Sequence, residues 1–300
     1  MTETNICNLP PGAWDSHVHV VDDRFPMAVN RSFTPKHAPV SNLMAFETRI
    51  GISHVCVVAV STYGYDNRHL IDALQQLNGR GRGVAVVNIN AVTDAKLDEM
   101  HAAGVRGLRF NLHTLHQTID RVAFEEAVQK YADRIRRLDW VLQLFIHMHQ
   151  IPLVADIIPQ LGVDVVFDHL GAPTDPTVAV QKQAGYAELM ALLRAKHAYV
   201  KMSGVYRFYG EKMPGLDEYC RELLQDVPTQ VVWGSDRPHP TGPDHFTNPE
   251  IERLIPQDYQ TIDIPAFVAQ CRKWCDHDED TIKMIFVDNP RRLWRYNRDD

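Results

Sequence analysis

Short runs of apolar residues alternate with longer segments of helical periodicity along the whole chain. Residues 54–60 (HVCVVAV), for example, form a nearly continuous β-branched run bounded by turn residues, which is typical of a strand buried on both faces. Residues 40–50 have helical spacing, with Ser41 or Asn42 as a possible N-cap. The pattern predicts eight strands, at residues 14–20, 54–60, 83–89, 105–112, 140–146, 163–169, 198–203 and 230–235.

Helical segments separate these strands. They are predicted at residues 40–50, from the loop after residue 67 to about residue 77, and at 94–103, 123–137, 152–160, 185–196, 216–224 and 264–295. Eight alternating units with apolar strands predict the α/β class and a (β/α)8 TIM barrel in a single domain, 1–300. Residues 1–12 are then an N-terminal extension. The long loops at 21–42 and 237–262 both follow strands, so we expect them at the active-site face of the barrel.

Composition narrows the class of partner. The 300 residues include 31 basic and 38 acidic side chains, a net charge of −7, which argues against a nucleic-acid partner. Five scattered cysteines fit reduced thiols better than a disulfide framework. No run of about 18 apolar residues or secretory signal is visible, so we expect no membrane partner and a cytoplasmic location. A small-molecule substrate and a possible homodimer are the remaining partner predictions.

Polar residues stand at the carboxyl ends of the predicted strands. His17 and His19 lie two residues apart, so they project from one face of a strand and could hold a metal ion, orient a water or polarise a carbonyl. A half-buried strand with histidine on its polar face is the alternative. The other strand ends carry Ser61, Tyr63, Arg109, Asn111, Gln143, His147, Asp168, His169, Lys201, Ser203, Arg207, Ser235, Asp236, Arg237 and His239. Because barrel enzymes place their chemistry at these ends, the convergence predicts an active site.

Individual roles can be predicted for several of these residues. Asp236 follows a strand and precedes Pro238 closely, so a general base is favoured over a capping role. His169 could instead be a buried hydrogen-bonding residue. Asp168 is its neighbour and should point the other way if the strand continues, which favours a structural role. Arg109 and Arg207 are expected to bind an anionic part of the substrate, with surface ion pairs as the alternative.

At this point the motifs resemble a known family. His17-x-His19, Phe167-Asp168-His169-Leu170-Gly171 and Trp233-Gly234-Ser235-Asp236-Arg237-Pro238-His239, in this order, resemble the amidohydrolase superfamily. More narrowly, the chain resembles the branch typified by 2-pyrone-4,6-dicarboxylate lactonase, with related sugar-lactone and muconolactone hydrolases. The resemblance extends to residues 11–17, 61, 66–67, 104–111 and 289–293, and so covers nearly the whole chain.

The resemblance implies site residues. His17, His19 and His169 would line the carbonyl, Asp236 would activate water, and Ser61, Arg109 and Arg207 match positions that hold the substrate. Tyr63, Asn111 and His147 are further predicted substrate contacts. Two departures stand out: Leu115 replaces a substrate-binding arginine and Phe145 replaces a tyrosine. Both remove polar partners, so a less charged or more apolar lactone is expected rather than the pyrone dicarboxylate.

A metal is optional in this interpretation. His17, His19, His169 and Asp236 could form a mononuclear zinc site with room for a water. A binuclear centre is disfavoured, because strand five offers Gln143 and strand seven ends without a histidine. The branch that the chain resembles is known for working without a bound metal. The predicted cofactor is therefore none required, or a single divalent metal, zinc.

The sequence thus predicts a hydrolase that opens a lactone, with Asp236 as general base and a histidine cluster polarising the carbonyl. The alternative is a zinc-dependent non-oxidative decarboxylase of an aromatic or unsaturated carboxylic acid. That branch usually carries a glutamate in its first-strand motif, and no acidic residue stands between His17 and Val20. A silent scaffold barrel is a third hypothesis, and the intact histidines and Asp236 argue against it.

Overall fold

Eight parallel strands form the framework of the molecule. The computed structural model describes residues 5–112, 119–209, 213–240 and 246–296. The strands are β1 (Trp14–Val18), β2 (His54–Val58), β3 (Gly81–Ala85), β4 (Val105–Asn111), β5 (Val141–Phe145), β6 (Val165–Phe167), β7 (Tyr199–Met202) and β8 (Val231–Trp233). Each pairs in parallel with the next along the chain. The predicted TIM barrel is confirmed.

Helices connect most strands on the outside of the barrel. They are α1 (Val40–Ile50), α2 (Arg68–Leu77), α3 (Asp94–Ala102), α4 (Arg121–Ile135), α5 (Tyr186–Arg194), α6 (Tyr206–Tyr209), α7 (Leu216–Asp226), α8 (Pro249–Glu252), α9 (Ile264–Trp274), α10 (Glu279–Lys283) and α11 (Asn289–Leu293). The helix predicted over residues 152–160 is wrong. Two 3-10 segments, Met148–Leu153 and Ile158–Gln160, connect β5 to β6 instead. Pro152 and Pro159 lack the N–H that an α-helix needs at each interior position.

The ring closes between β8 and β1 through residues that follow β8. The backbone N–H of Asp236 donates to the carbonyl of His17 at 2.9 Å, and that of His19 donates to the carbonyl of Arg237 at 2.8 Å. These bonds continue the pattern of a parallel pair. They bring the end of β1 beside the segment after β8, although the two come from opposite ends of the chain.

Apolar side chains fill the barrel below this seam. The interior cluster includes Trp14, Val58, Val166, Val232 and Trp294, all without solvent exposure. A second and larger apolar layer lies between the strands and the surrounding helices. Polar side chains occupy the ring at the carboxyl ends of the strands, and at its other end the buried Arg82 lies 4.7 Å from the ring centroid of Tyr296.

The two long loops meet each other above the strands. Thr34–Pro35, from the loop after β1, pairs in parallel with Pro256–Gln257, from the loop after β8. Tyr259, in the same late loop, pairs with Pro240 in an antiparallel bridge. Their assignment as active-site loops stays a prediction, but both follow strands whose ends carry histidine or aspartate. In the described part of the chain, every helix is too short or too polar to cross a membrane.

Candidate active site

A bulge in β1 brings both of its histidines into the barrel. Asp15 pairs with Val55 and Val18 with Val57, so β1 advances three residues while β2 advances two. Trp14 therefore packs inside the barrel, whereas Val18 packs in the outer layer. His17 and His19 lie on either side of Val18 and point inward. The expected alternation of these three residues is present, and the bulge determines which face they use.

The three candidate histidines converge on one oxygen of Asp236. The Oδ1 atom lies 3.7 Å from His17 Nε2, 3.5 Å from His19 Nε2 and 4.0 Å from His169 Nε2. The Asp236 side chain has no solvent exposure, and its Oδ1 atom accepts no hydrogen bond from any described residue. Four groups predicted from three different strand ends therefore meet at one point.

The other oxygen of Asp236 is held from one side. Tyr206 O–H donates to Oδ2 at 2.7 Å, and Arg207 donates through Nε at 3.0 Å and Nη2 at 2.7 Å. Burial by itself would raise the pKa of Asp236, but the Arg207 guanidinium and the nearby His169 outweigh it and hold the pKa well below its usual value. Asp236 is therefore a carboxylate at neutral pH, with one oxygen anchored and the other facing the histidines.

The Nδ1 atoms of His19 and His169 each have a hydrogen-bond partner. His19 Nδ1 lies 2.8 Å from the carbonyl oxygen of Val58, which can only accept, so Nδ1 carries a proton and, in the neutral ring, Nε2 carries the lone pair. His169 Nδ1 lies 2.9 Å from the hydroxyl of Ser203. Burial lowers the pKa of His169 to about 4, so its ring is neutral at pH 7.

Asp168 belongs to the same interior, contrary to the expectation that it points away. His169 has a left-handed backbone (φ 48°), which ends the alternation of the strand. The side chains of Asp168 and His169 therefore both enter the barrel. Asp168 Oδ2 accepts from Arg109 at 2.9 and 2.8 Å and from Gln143 at 2.9 Å. Burial opposes ionisation of Asp168, but Arg109 and Lys201 bring its pKa well below the usual range.

Lys201 and Tyr206 belong to this network, although neither was assigned a role from the sequence. Lys201 lies fully buried in β7, and its Nζ approaches Gln143 Oε1 at 2.8 Å, His17 Nδ1 at 3.2 Å and Asp168 Oδ1 at 3.5 Å. Tyr206, which anchors Asp236, was missed altogether. Its only sequence signal is its position next to Arg207 after the seventh strand.

The four predicted substrate contacts differ in their burial and in the groups that they contact. Ser61 is half-buried at the start of the turn after β2, and Asn111 is half-buried at the end of β4. The hydroxyl of Tyr63 is engaged by the backbone of Asp22, with 3.0 Å to both its N and O atoms. His147, which follows β5, stacks on the ring of His149.

Two arginines, and two positions that depart from the family pattern, were also singled out in the sequence. Arg109 and Arg207 are paired with Asp168 and Asp236 as described above. Phe145 packs edge-on against His169, with a centroid distance of 5.0 Å. Leu115 lies outside the described residues.

The geometry suits a single divalent cation. His17, His19 and Asp236 form one group whose ligand atoms lie within 4.8 Å of one another, and His17, Asp168 and His169 form another. The His19 lone pair faces a carboxylate oxygen at 3.5 Å, an arrangement that a cation or a proton between them would stabilise. His17 Nε2, likewise without a hydrogen-bond partner in the described ranges, faces the same space. These residues could therefore hold a metal.

Comparison with known proteins places the chain among enzymes. The model of a family described as amidohydrolase matches residues 14–296. A 2-pyrone-4,6-dicarboxylate hydrolase of Comamonas testosteroni is 30% identical over 298 residues, covering 95% of this chain and 91% of the relative. A 4-sulfomuconolactone hydrolase of Hydrogenophaga intermedia is also 30% identical, over 294 residues, covering 95% and 89%.

Solved structures agree with these relatives. A Pseudomonas putida protein described as a 2-pyrone-4,6-dicarboxylic acid hydrolase has a TM-score of 0.74 at 27% identity, covering 96% of this chain and 99% of that one. An amidohydrolase from Burkholderia multivorans, solved with bound zinc, shares the fold with a TM-score of 0.64 at 17% identity, covering 94% and 99%. Zinc therefore occurs in proteins of this fold.

Proposed function

The chain belongs to the amidohydrolase family, and we propose that it is a hydrolase that opens the ring of a lactone. One observation carries the proposal: three imidazole Nε2 atoms lie within 4.0 Å of a buried carboxylate oxygen at the carboxyl ends of the strands. A carboxylate beside a set of imidazoles supplies a base for water and polar groups for a carbonyl. The relatives named for lactone hydrolysis support the same reaction class.

Asp236 is the proposed general base. Its Oδ1 atom takes a proton from water, and the water oxygen attacks the lactone carbonyl. The ring C–O bond then breaks, and the departing alkoxide oxygen receives the proton from Asp236. Tyr206 and Arg207 hold the opposite oxygen, so they fix the orientation of the base throughout.

His17, His19 and His169 are the proposed groups that bind the lactone carbonyl and the attacking water. The rings of His17 and His169 are neutral at pH 7, because burial brings the pKa of His17 well below its usual value and that of His169 to about 4. They therefore act as hydrogen-bonding groups at the carbonyl or the water rather than as cations. Preorganised donors around a developing oxyanion are usually a large contribution to acyl-transfer catalysis.

We propose that no metal is required, with a single zinc ion as the alternative. His17, His19, His169 and Asp236 would hold such an ion. When bound, zinc lowers the pKa of a coordinated water and polarises a carbonyl. The residues named above would position the lactone and move the proton in either case.

The substrate is proposed to carry fewer anionic groups than a pyrone dicarboxylate. Arg109 has only 6% of its side chain exposed and is committed to Asp168. Arg207 has 30% exposed and lies between Asp236 and solvent, so it is the better candidate for a substrate anion. Ser61, Tyr63, Asn111 and His147 remain proposed contacts to the rest of the ring. We further propose a cytoplasmic enzyme, with a homodimer as its possible assembly.

A lactone panel monitored by acid release tests the proposal. The wild type is expected to open at least one lactone, and Asp236→Asn is expected to lower kcat/KM by about 10²- to 10⁴-fold. Asp133→Asn, on the exposed surface of α4 outside the barrel, is the matched control and should retain activity. Zinc analysis of the same samples reports the metal. Near-normal turnover by Asp236→Asn, or carbon dioxide release from carboxylic acids without lactone opening, would overturn the assignment.

A further inference from the structure

Lys201 is a buried cation directly behind His17. It projects from β7 into the barrel interior, and its side chain has no solvent exposure. Below it lies Trp294, whose ring centroid is 5.1 Å from Nζ. Neither the fold nor the proposed reaction so far gives this lysine a function. A buried ammonium group is costly unless each of its protons finds an acceptor.

Two hydrogen-bond acceptors and one carboxylate oxygen at ion-pair distance surround the ammonium. Gln143 Oε1 lies at 2.8 Å, His17 Nδ1 at 3.2 Å and Asp168 Oδ1 at 3.5 Å. An ammonium has three protons and no lone pair, so it can only donate to His17. The Nδ1 atom must then carry the lone pair, and the proton of the neutral ring must lie on Nε2.

Asp168 competes for the opposite arrangement. Its Oδ1 atom lies 3.3 Å from His17 Nδ1 and could accept a proton from it. The contact lacks hydrogen-bond geometry, because Asp168 Oδ1 has no hydrogen-bond partner among the residues described. The Lys201–His17 contact has that geometry. A proton on Nδ1 would also face the ammonium protons across 3.2 Å.

We propose that Lys201 is a positioning residue that keeps His17 in the Nε2–H tautomer, as a donor toward the reacting carbonyl rather than as a metal ligand. His17 Nε2 faces Asp236 Oδ1 at 3.7 Å, so its proton is directed into the centre of the site. The neutral form of His19 is the opposite tautomer, since its Nδ1 donates to the carbonyl of Val58 and Nε2 is then left to accept. His17 is thus suited to the carbonyl and His19 to the attacking water, an assignment that rests on the proposed function.

Nitrogen-15 NMR of the full chain tests the tautomer directly. Histidine-labelled protein is stripped of metal with a chelator, and His17 is assigned from the difference spectrum of His17→Gln. Two-bond ¹H–¹⁵N correlations separate protonated from unprotonated ring nitrogens. We expect His17 Nε2 to be protonated and Nδ1 unprotonated in the wild type. The reverse pattern would overturn the proposal, whatever any variant does.

Lys201→Met provides the second measurement. It leaves Arg109 and Asp168 as a balanced buried pair, so we expect the variant to fold. Without the ammonium, the His17 proton should move to Nδ1, facing Asp168, and zinc affinity measured against a chromophoric chelator should rise at least tenfold. An unchanged tautomer and zinc affinity would remove Lys201 from the assignment. Lys283→Met, at an exposed lysine, should alter neither.

These results separate from the test of the reaction. If the wild type opens no lactone but His17 is the Nε2–H tautomer, the proposed function fails and the role of Lys201 stands. If lactones are opened and His17 is protonated on Nδ1, the role of Lys201 fails and the hydrolase assignment stands.

Discussion

Replacing Asp168 by asparagine should destabilise the fold more than any other single change in the site. The carboxylate is the counter-ion for two buried cations, Arg109 at 2.8 Å and Lys201 at 3.5 Å. At an effective dielectric constant of 20, these attractions are about 6 and about 5 kcal/mol before desolvation is subtracted. Removing one partner of a buried ion pair typically costs about 3–5 kcal/mol, because the remaining charge stays buried. We expect a loss in that range for Asp168→Asn.

Urea unfolding followed by circular dichroism measures this loss. Asp133→Asn is the matched control, because Asp133 pairs with Arg136 on the exposed surface of α4, where ion pairs contribute less than about 1 kcal/mol. The double variant Asp168→Asn/Lys201→Met should be more stable than Asp168→Asn alone, since it removes one of the two uncompensated cations. A loss below about 1 kcal/mol for Asp168→Asn, or no recovery in the double variant, would refute the charge argument.

The ionised carboxylate of Asp168 also predicts how the stability of the fold depends on pH. The pKa of Asp168 is held well below its usual value in the folded state, so folding favours the carboxylate. This contribution is fully present above the unfolded-state pKa of about 3.9 and is lost as the pH falls through the folded-state pKa. The stability difference between the wild type and Asp168→Asn should therefore be constant near neutrality and shrink below about pH 4.

Three further predictions concern activity. Because Asp236 has a depressed pKa and His169 one of about 4, kcat/KM should stay flat through neutral pH and fall only near and below pH 4; a limb near pH 6 would contradict the neutral-histidine argument. Tyr206→Phe removes one of the anchors of the base and should lower kcat roughly tenfold with little change in KM, whereas a pure KM effect would indicate a substrate contact. Gly234→Ala would place a Cβ 2.8 Å from the Cβ of His17, so activity and thermal stability should both fall, and retention of both would show that β1 can move.

The order of strands and helices could be predicted because each barrel strand is buried on both faces. The prediction for residues 40–50 matches the bounds of α1, but the predicted N-cap is wrong, because Pro39 rather than Ser41 or Asn42 precedes the first helical residue. The third strand was placed too late, since Gly81-Arg82-Gly83 reads as a turn. In the structure these glycines are strand residues, and a Cβ on Gly81 would lie 2.6 Å from Leu77 Cδ1. Close helix packing, which a local pattern does not reveal, explains the offset.

The candidate site was predictable as far as barrel geometry alone determines it. His17, His19, His169 and Asp236 were grouped because parallel strands end at one face, and the structure brings them together. Asp168 was misplaced because the alternation of β6, with Val166 inside and Phe167 outside, already directs Asp168 inward. It is His169 that departs from the alternation, through a left-handed backbone that residue type does not signal. The pairing of arginines with buried aspartates depends on distances across the barrel, so no spacing along the chain could reveal it.

The buried charges of the site favour a developing anion. Among the described side chains that contact one another around the histidines, Arg109, Lys201 and Arg207 face Asp168 and Asp236. These five groups carry one net positive charge, and the rings of His17 and His169 beside them are neutral at pH 7. The uncharged lactone carbonyl does not balance that charge, whereas the oxyanion formed on it by water attack does. An interaction that strengthens only as the oxyanion forms lowers the barrier without tightening ground-state binding. The two aspartates therefore have different roles. Asp168 reduces the net positive charge of these groups to one, and Asp236 keeps one oxygen available to accept the proton.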